Sequence, residues 1–289
     1  MFNLFKKKAL KTINKLEVDK LIKEFKDFGV SDTPNELIVS LTSFPQRMYE
    51  IHYTIYSLLN QTVKPEKLLL WLAKEQFPNL EKDIPESVLA LQKNGLTICW
   101  TENTYSYKKL VPTIEKYPNH TIITADDDIF YEEDWLEKLV TASKKYPEYI
   151  ICHRAHKVKL TKNGVAPYKK WPKKIKNKKP SFLNFFTGVG GVLYPPKTLH
   201  SDVTYRNLFE QLAPKADDVW FWTMALLNKT KIYIVQDKID DLKYINPERE
   251  RGLTNEITLF SSNKQGGNDS QIENVINHYP QIIDILKND

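Results

Sequence analysis

Three consecutive aspartates, Asp126, Asp127 and Asp128, stand in the segment TIITADDDIFY, just after the apolar pair Ile122 and Ile123. Three like charges at the end of an apolar extended run repel one another, and without a cation at least one carboxyl tends to keep its proton. A hard divalent cation supplies the missing charge, and carboxylate oxygens suit magnesium or manganese. In an extended segment Asp126 and Asp128 point to one side and Asp127 to the other, so the outer pair is assigned to the metal. The plainer reading is a solvated turn, or caps for the helix that follows, although one aspartate would do for a cap. A second pair, Asp217 and Asp218 in KADDVWFW, opens a predicted helix. A helix N-terminus favours negative charge, so capping competes with catalysis there.

The elements that must position these acids follow from periodicity. ELIVSLTSF at 36–44 predicts a buried strand entering a loop, 48–61 a helix, and EKLLLWLA at 66–73 a second strand. Residues 86–94 are predicted helical, 96–101 extended and 111–117 a short helix, before the strand 120–128 that ends in the acids. A helix at 134–146, a strand entering a hairpin-like region at 148–160, strand and loop at 185–196, a helix at 216–229 and a last strand at 231–236 complete the pattern. Strands alternating with helices predict an α/β fold with a mostly parallel sheet covered on both faces. Ligands bind beyond the carboxyl ends of such strands, where the triplet would stand. Residues 261–269 are predicted to be a mobile loop before a C-terminal helix at 270–286.

The chain has 289 residues, 27% of them charged, 41% hydrophobic and 12% aromatic, which excludes intrinsic disorder. Cys99 and Cys152 lie in apolar runs and read as two buried free thiols, favouring a reducing, cytoplasmic setting. No apolar stretch approaches the roughly 18 residues of a spanning helix. The net charge of +6 is uneven: residues 1–26 carry +5 and residues 168–179 (YKKWPKKIKNKK) carry +7, leaving the remainder at −6. Charge confined to two segments argues against a general nucleic-acid binder. Residues 4–28 space Leu4, Phe5, Leu10, Ile13, Leu16, Leu21, Ile22, Phe25 and Phe28 as a basic amphipathic helix. It would lie on an anionic membrane or pack on the domain or another chain. The lysine-rich segment would attract a lipid diphosphate or an anionic bilayer, or stay a solvated excursion.

The ordered set resembles bacterial GT-A-fold glycosyltransferases of the capsular or cell-surface polysaccharide type. The strand ending in an acidic triplet is similar to their DxD motif, and IVSLTSFPQR at 38–47 to their opening nucleotide-binding strand and loop; the likeness spans about residues 36–240. It implies a GT-A domain over 34–260, a basic N-terminal helical segment at 1–33 and a C-terminal loop and helix at 261–289. It also implies Mn2+ or Mg2+ on Asp126 and Asp128, bridging the diphosphate of a UDP-sugar, with Asp127 on a ribose hydroxyl or orienting a base. Thr42, Ser43 and Arg47 would line the nucleotide pocket, and Lys108 or Lys109 would offset diphosphate charge. Asp217–Asp218, followed by Trp220 and Trp222, resembles the motif where inverting members keep their catalytic base. Asp218 is then the base and Asp217 orients the acceptor, or the reverse.

In similar enzymes a glycine-containing segment such as GVGG at 188–191 lies beside donor sugar and acceptor. Trp171 and Trp220 would stack on sugar rings or fill the core; His153 and His156 would contact phosphate or acceptor, or simply pack. A further metal ligand is implied but not placed, His278 and Asp269 being only candidates. The implied reaction is inverting transfer of a hexose from a UDP-sugar to a polysaccharide or lipid-linked glycan. Its setting would be the cytoplasm, at the inner face of the plasma membrane. A sugar-phosphate nucleotidyltransferase would carry a glycine-rich phosphate loop after the first strand, and SLTSFPQR has none. An aspartyl-nucleophile hydrolase would want a DxDx[TV] pattern, where Phe130 takes the last position. A non-catalytic glycan- or membrane-binding scaffold leaves both acidic clusters without a purpose.

Overall fold

The computed structural model describes residues 10–24, 27–162, 164–177, 179–236, 242–250 and 267–289. Seven strands form the central sheet: β1 (Leu37–Thr42), β2 (Lys67–Ala73), β3 (Leu96–Thr101), β4 (Thr121–Thr124), β5 (Ile150–Cys152), β6 (Val192–Tyr194) and β7 (Ile232–Ile234). They lie in the order β7-β5-β6-β4-β1-β2-β3. All neighbours are parallel except β6, which runs against both β4 and β5. The expected α/β architecture with a mostly parallel sheet flanked by helices is therefore what the chain adopts.

Alternate strand residues feed two cores. Val39, Leu41, Ile123, Ile151 and Leu193 face a layer built with helices α2 (Ile51–Leu59) and α3 (Trp135–Lys145). Ile122, Ile150, Cys152, Val192 and Tyr194 face a layer with α5 (Asp217–Leu227) and its buried Trp220 and Trp222. Both faces being covered is why these strands read as continuous apolar runs. Cys99 and Cys152 are buried thiols that are not joined in a disulfide. Among the described residues no helix is long and apolar enough to cross a membrane.

The ends differ from expectation. Helix α1 covers Lys15–Glu24 rather than 4–28, and Lys11–Thr12 before it is extended, pairing with Lys243–Tyr244. That partner lies over 200 residues away, so local periodicity could not show it. Residues 1–9 and 25–26, with Leu4, Phe5 and Phe25, lie outside the described residues. Helix α1 rests on α2 through Lys15–Glu50 at 2.8 Å and Tyr53 Oη donating to Asp19 at 3.2 Å. The predicted C-terminal helix is two, α6 (Asn268–His278) and α7 (Gln281–Lys287); α4 (Arg206–Leu212) precedes α5. The break falls at Pro280, which has no backbone N–H to continue a helix. Of the predicted loop, 261–266 lie outside the described residues, and Asn268 and Asp269 already belong to α6.

The lysine-rich segment is no loose excursion. Trp171 is buried, the Ile175 N–H donates to the Ala155 carbonyl at 3.0 Å, and the Lys157 N–H to the Pro172 carbonyl at 2.9 Å. Its lysines 169, 170, 173, 174, 176 and 179 remain on the surface.

The reversed strand β6 is fed by a turn at Gly188–Gly190 and by Gly191, whose φ of +92° suits glycine. A Cβ there would lie 2.4 Å from the Trp135 ring, whose Nε1 donates to the Gly190 carbonyl. Gly191→Ala should therefore cost about 2–4 kcal/mol from backbone strain and overpacking. Urea unfolding would read this; an unchanged midpoint would mean that Trp135 retreats without penalty.

Candidate active site

The chain passes from β1 outward to β2 and β3, then returns to place β4 on the other flank of β1. Ligand crevices in open α/β sheets lie where the strand order reverses in this way. Ser43 leaves the carboxyl end of β1 and Asp126–Asp128 leave that of β4, so they face each other across this crevice. β6 begins at the same edge, with Val192 paired to both Thr124 and Cys152, bringing the Gly188–Gly190 turn alongside. Asp217 and Asp218 arrive on the first turn of α5, and Lys109 at the end of the turn Tyr105–Lys109.

On the β1 side, Ser43 Oγ donates to Asp127 Oδ2 at 2.5 Å and Arg47 Nη1 to Asp127 Oδ1 at 2.7 Å. The same nitrogen pairs with Asp128 Oδ2 at 2.6 Å. Asp127 and Asp128 thus converge on Arg47, contrary to the expected alternation that put Asp127 alone on one side. The chain stops being extended after Thr124 and turns at 127–128, so the two-residue period no longer applies. Thr54 Oγ1 donates to the Asp127 carbonyl at 3.1 Å, and Tyr131 Oη accepts the Asp126 N–H at 2.8 Å. Neither residue was singled out from sequence; Tyr131 was visible only as the aromatic that follows the triplet.

On the α5 side, the buried Lys109 Nζ donates to Asp126 Oδ1 at 2.8 Å and pairs with Asp217 Oδ2 at 3.2 Å. The Asp218 carboxylate accepts the Gly188 N–H at 3.0 and 3.2 Å. A Cβ on Gly188 would sit 3.1 Å from both Asp218 Oδ1 and Lys109 Nζ and 3.7 Å from Asp126 Oδ1. The two acidic motifs, some 90 positions apart in sequence, therefore meet over one glycine. Lys108 is turned away, its Nζ donating to Asn103 Oδ1 at 3.0 Å, and Thr42 Oγ1 is engaged by the Trp71 carbonyl at 2.8 Å.

Burial pushes the Asp127 carboxyl up, with Asp128 and Asp126 adding to it, against the pull of Arg47 and Ser43. Asp218 lines the cleft, partly exposed, yet loss of water remains the largest push on its carboxyl. With Asp217 and Asp126 adding repulsion, and Lys109 and the Gly188 N–H opposing, it is raised to about 8. Burial works against the Lys109 charge, but Asp126, Asp217 and Asp218 outweigh it and hold the ammonium well above its ordinary range. Burial lowers Lys108 to about 8.

The expectation that only a divalent ion could relieve the crowded acids is therefore corrected: Arg47 and Lys109 already supply two positive charges. Among the described residues no three His, Cys, Asp or Glu side chains converge as a metal cage. Magnesium-type ions seldom need one, being held by one or two carboxylates together with substrate phosphates and water. Asp126 and Asp128 present oxygen ligands on the crevice, each with one oxygen engaged by Lys109 or Arg47 and a second oxygen beside it. The donor set, carboxylate oxygens alone, fits a hard cation.

The other candidates fall elsewhere. Trp171 and Trp220 are core residues, their indole nitrogens donating to the Ala166 and Val203 carbonyls. His153 is buried with Nε2 against the Trp135 carbonyl. His156 is buried with Nδ1 accepting the Lys174 N–H. Asp269 accepts the Tyr168 N–H at 2.6 Å, and His278 lies exposed at the end of α6, against Tyr279.

The sequence matches no protein-family model and no curated protein. Several solved structures are similar in general course. The CMP:2-keto-3-deoxy-manno-octonic acid synthetase complexed with CTP is 12% identical at a TM-score of 0.45, over 75% of this chain and 95% of that one. TarS of S. aureus in complex with UDP is 14% identical at 0.43, over 72% and 59%. The mannosyltransferase PcManGT from Pyrobaculum calidifontis, in complex with GDP-Man and Mn2+, is 14% identical at 0.44, over 77% and 61%. The chain thus spans less than two thirds of the length of the last two. Likenesses this distant carry no functional weight, and function has to be read from the side chains.

Proposed function

We propose that the chain is an inverting, metal-dependent glycosyltransferase that moves a hexose from a UDP-sugar to a polysaccharide or lipid-linked glycan acceptor. The observation that carries this reading is the meeting of Asp218 and Asp126 over Gly188, with the Asp218 carboxyl raised to about 8. A carboxylate with that basicity is suited to take a proton from an acceptor hydroxyl as the oxygen attacks the anomeric carbon. Asp217, held by Lys109, orients the acceptor. On the donor side Asp127, fixed by Ser43 and Arg47, would bind a ribose hydroxyl, and Arg47 would meet a phosphate or the base. Mn2+ or Mg2+, held by Asp126 and Asp128, would stabilise the negative charge of the departing nucleoside diphosphate. Residues 34–260 form the catalytic domain in this reading, flanked by 1–33 and 261–289. The surface lysines of 168–179 and the basic N-terminal segment favour work against an anionic membrane surface, in capsule or cell-surface glycan assembly.

Thermal melting with UDP, alone and with manganese, tests the donor side. At roughly a hundredfold excess over Kd, UDP with manganese should raise the melting temperature by about 5 °C, and UDP alone by less. Stabilisation by nucleoside triphosphates in preference to UDP would favour a nucleotidyltransferase instead. No shift with any nucleotide would leave a non-catalytic scaffold.

A further inference from the structure

The turn Gly188–Gly190 has Asp218 at one end and a basic residue, Arg154, at the other. Arg154 follows β5, and its carbonyl accepts the Thr187 N–H at 3.0 Å. A Cβ on Gly190 would lie 3.0 Å from the Arg154 Cβ. Arg154 and Asp218 therefore lean on opposite ends of one turn, Gly188–Gly190. Tyr168 feels both. Burial raises its phenol to about 12, Asp218 pushes the same way, and Arg154 and a hydrogen bond from the Asn268 side chain oppose.

Three buried polar atoms in this corner, Arg154 Nε, Thr187 Oγ1 and Asn268 Oδ1, have no hydrogen-bond partner among the described residues. Thr187 and Asn268 are only 7% and 6% exposed, so bulk water does not satisfy them. Such atoms are costly unless something binds there. The surrounding field is positive. Lys173 Nζ stands 5.7 Å from the centre of the Tyr168 ring, and burial together with Arg154, Lys173 and Lys174 drives the neighbouring His156 down to about 4.

A guanidinium and a hydroxyl can both donate to an anion with several oxygens, and an arginine fork suits phosphate. The Asn268 oxygen is an acceptor, suited to a hydroxyl of the same ligand. We propose that Arg154, Thr187 and Asn268 form a subsite for a phosphate ester on the acceptor, so that the hydroxyl receiving the sugar lies beside a phosphate on a polyol or sugar. The inference rests on Asp218 acting as the base at the other end of the turn.

The test is calorimetric titration of the full chain, saturated with UDP and manganese, with sn-glycerol 3-phosphate, with glycerol, and with phosphatidylglycerol vesicles. The phosphate ester should bind about tenfold or more tightly than glycerol, and Arg154→Gln should weaken it by about tenfold without changing UDP affinity. Thr187→Val, which removes only the hydroxyl proposed to donate to the phosphate, should weaken it by about threefold and serves if Arg154→Gln melts early. If vesicles bind in an Arg154-dependent way but the free ester does not, the phosphate comes from a lipid headgroup and the subsite stands. Equal affinity for ester and glycerol, or Arg154→Gln binding ester and vesicles like wild type, overturns it. Ester binding in a chain that ignores UDP would leave the subsite intact and remove the donor reading instead.

Discussion

Asp218→Asn is expected to slow sugar transfer by about a hundredfold to ten-thousandfold, the usual span for loss of a general base, while making the protein more stable. The asparagine keeps an oxygen for the Gly188 N–H but cannot take a proton from the acceptor. Stability should rise because the folded state holds the Asp218 carboxyl at about 8, well above its unfolded value. Such a group contributes fully below the ordinary carboxylate range, and its contribution is lost as pH rises through about 8. The melting temperature of Asp218→Asn should therefore exceed that of wild type, and the gap should widen between pH 5 and pH 9. Turnover by wild type should climb over the same interval and level off above about pH 8, where the carboxylate dominates. Rate and melting curves across that range decide the matter. A variant with full turnover would remove Asp218 from the chemistry, and a narrowing gap would contradict the assigned direction of its titration.

Lys109→Met should be the most damaging change in folding terms, costing about 3–5 kcal/mol, because it strands buried carboxylates without their cation. Lys109 touches Asp126 and Asp217 directly and opposes the rise of Asp218. Without it, Asp218 is pushed still further above its unfolded value, so the deficit should grow as pH increases. Denaturant midpoints of wild type and variant at pH 6 and pH 9 measure this. Adding Asp217→Asn should restore part of the loss by removing one of the stranded charges. A Lys109→Met protein with wild-type midpoints at both pH values would mean that water, rather than the ammonium, balances these acids.

Much of the scaffold was legible from residues alone. Runs such as LIVSLT and KLLLWLA are apolar on successive positions, which only a strand buried on both faces requires, and both formed as read. The acids announced themselves by composition. What balanced them did not: Arg47 and Lys109 lie 80 and 17 positions from their partners, and only the sheet order brings them together. Arg154 was invisible for the same reason, since its place at the far end of the turn that holds Asp218 depends on a strand that enters the sheet backwards. The turn at 127–128 leaves no mark in the sequence, because side-chain alternation holds only where the chain is extended and the extended run ends at Thr124. Pro280 was a plain stop signal that the apolar spacing on either side obscured.

The reversed strand β6 also partitions where this protein is free to diversify. Every side chain that crowds its entry turn belongs to something else: Asp218 and Lys109 at Gly188, Arg154 at Gly190, Trp135 at Gly191. A change there would disturb Asp218, the aspartate triplet and the fold together. Between 157 and 177, by contrast, most of the lysines stand on the surface, where a substitution disturbs neither the buried acids nor these glycines. New acceptor preferences in relatives of this chain would therefore arise along that flank, while the glycines stay fixed.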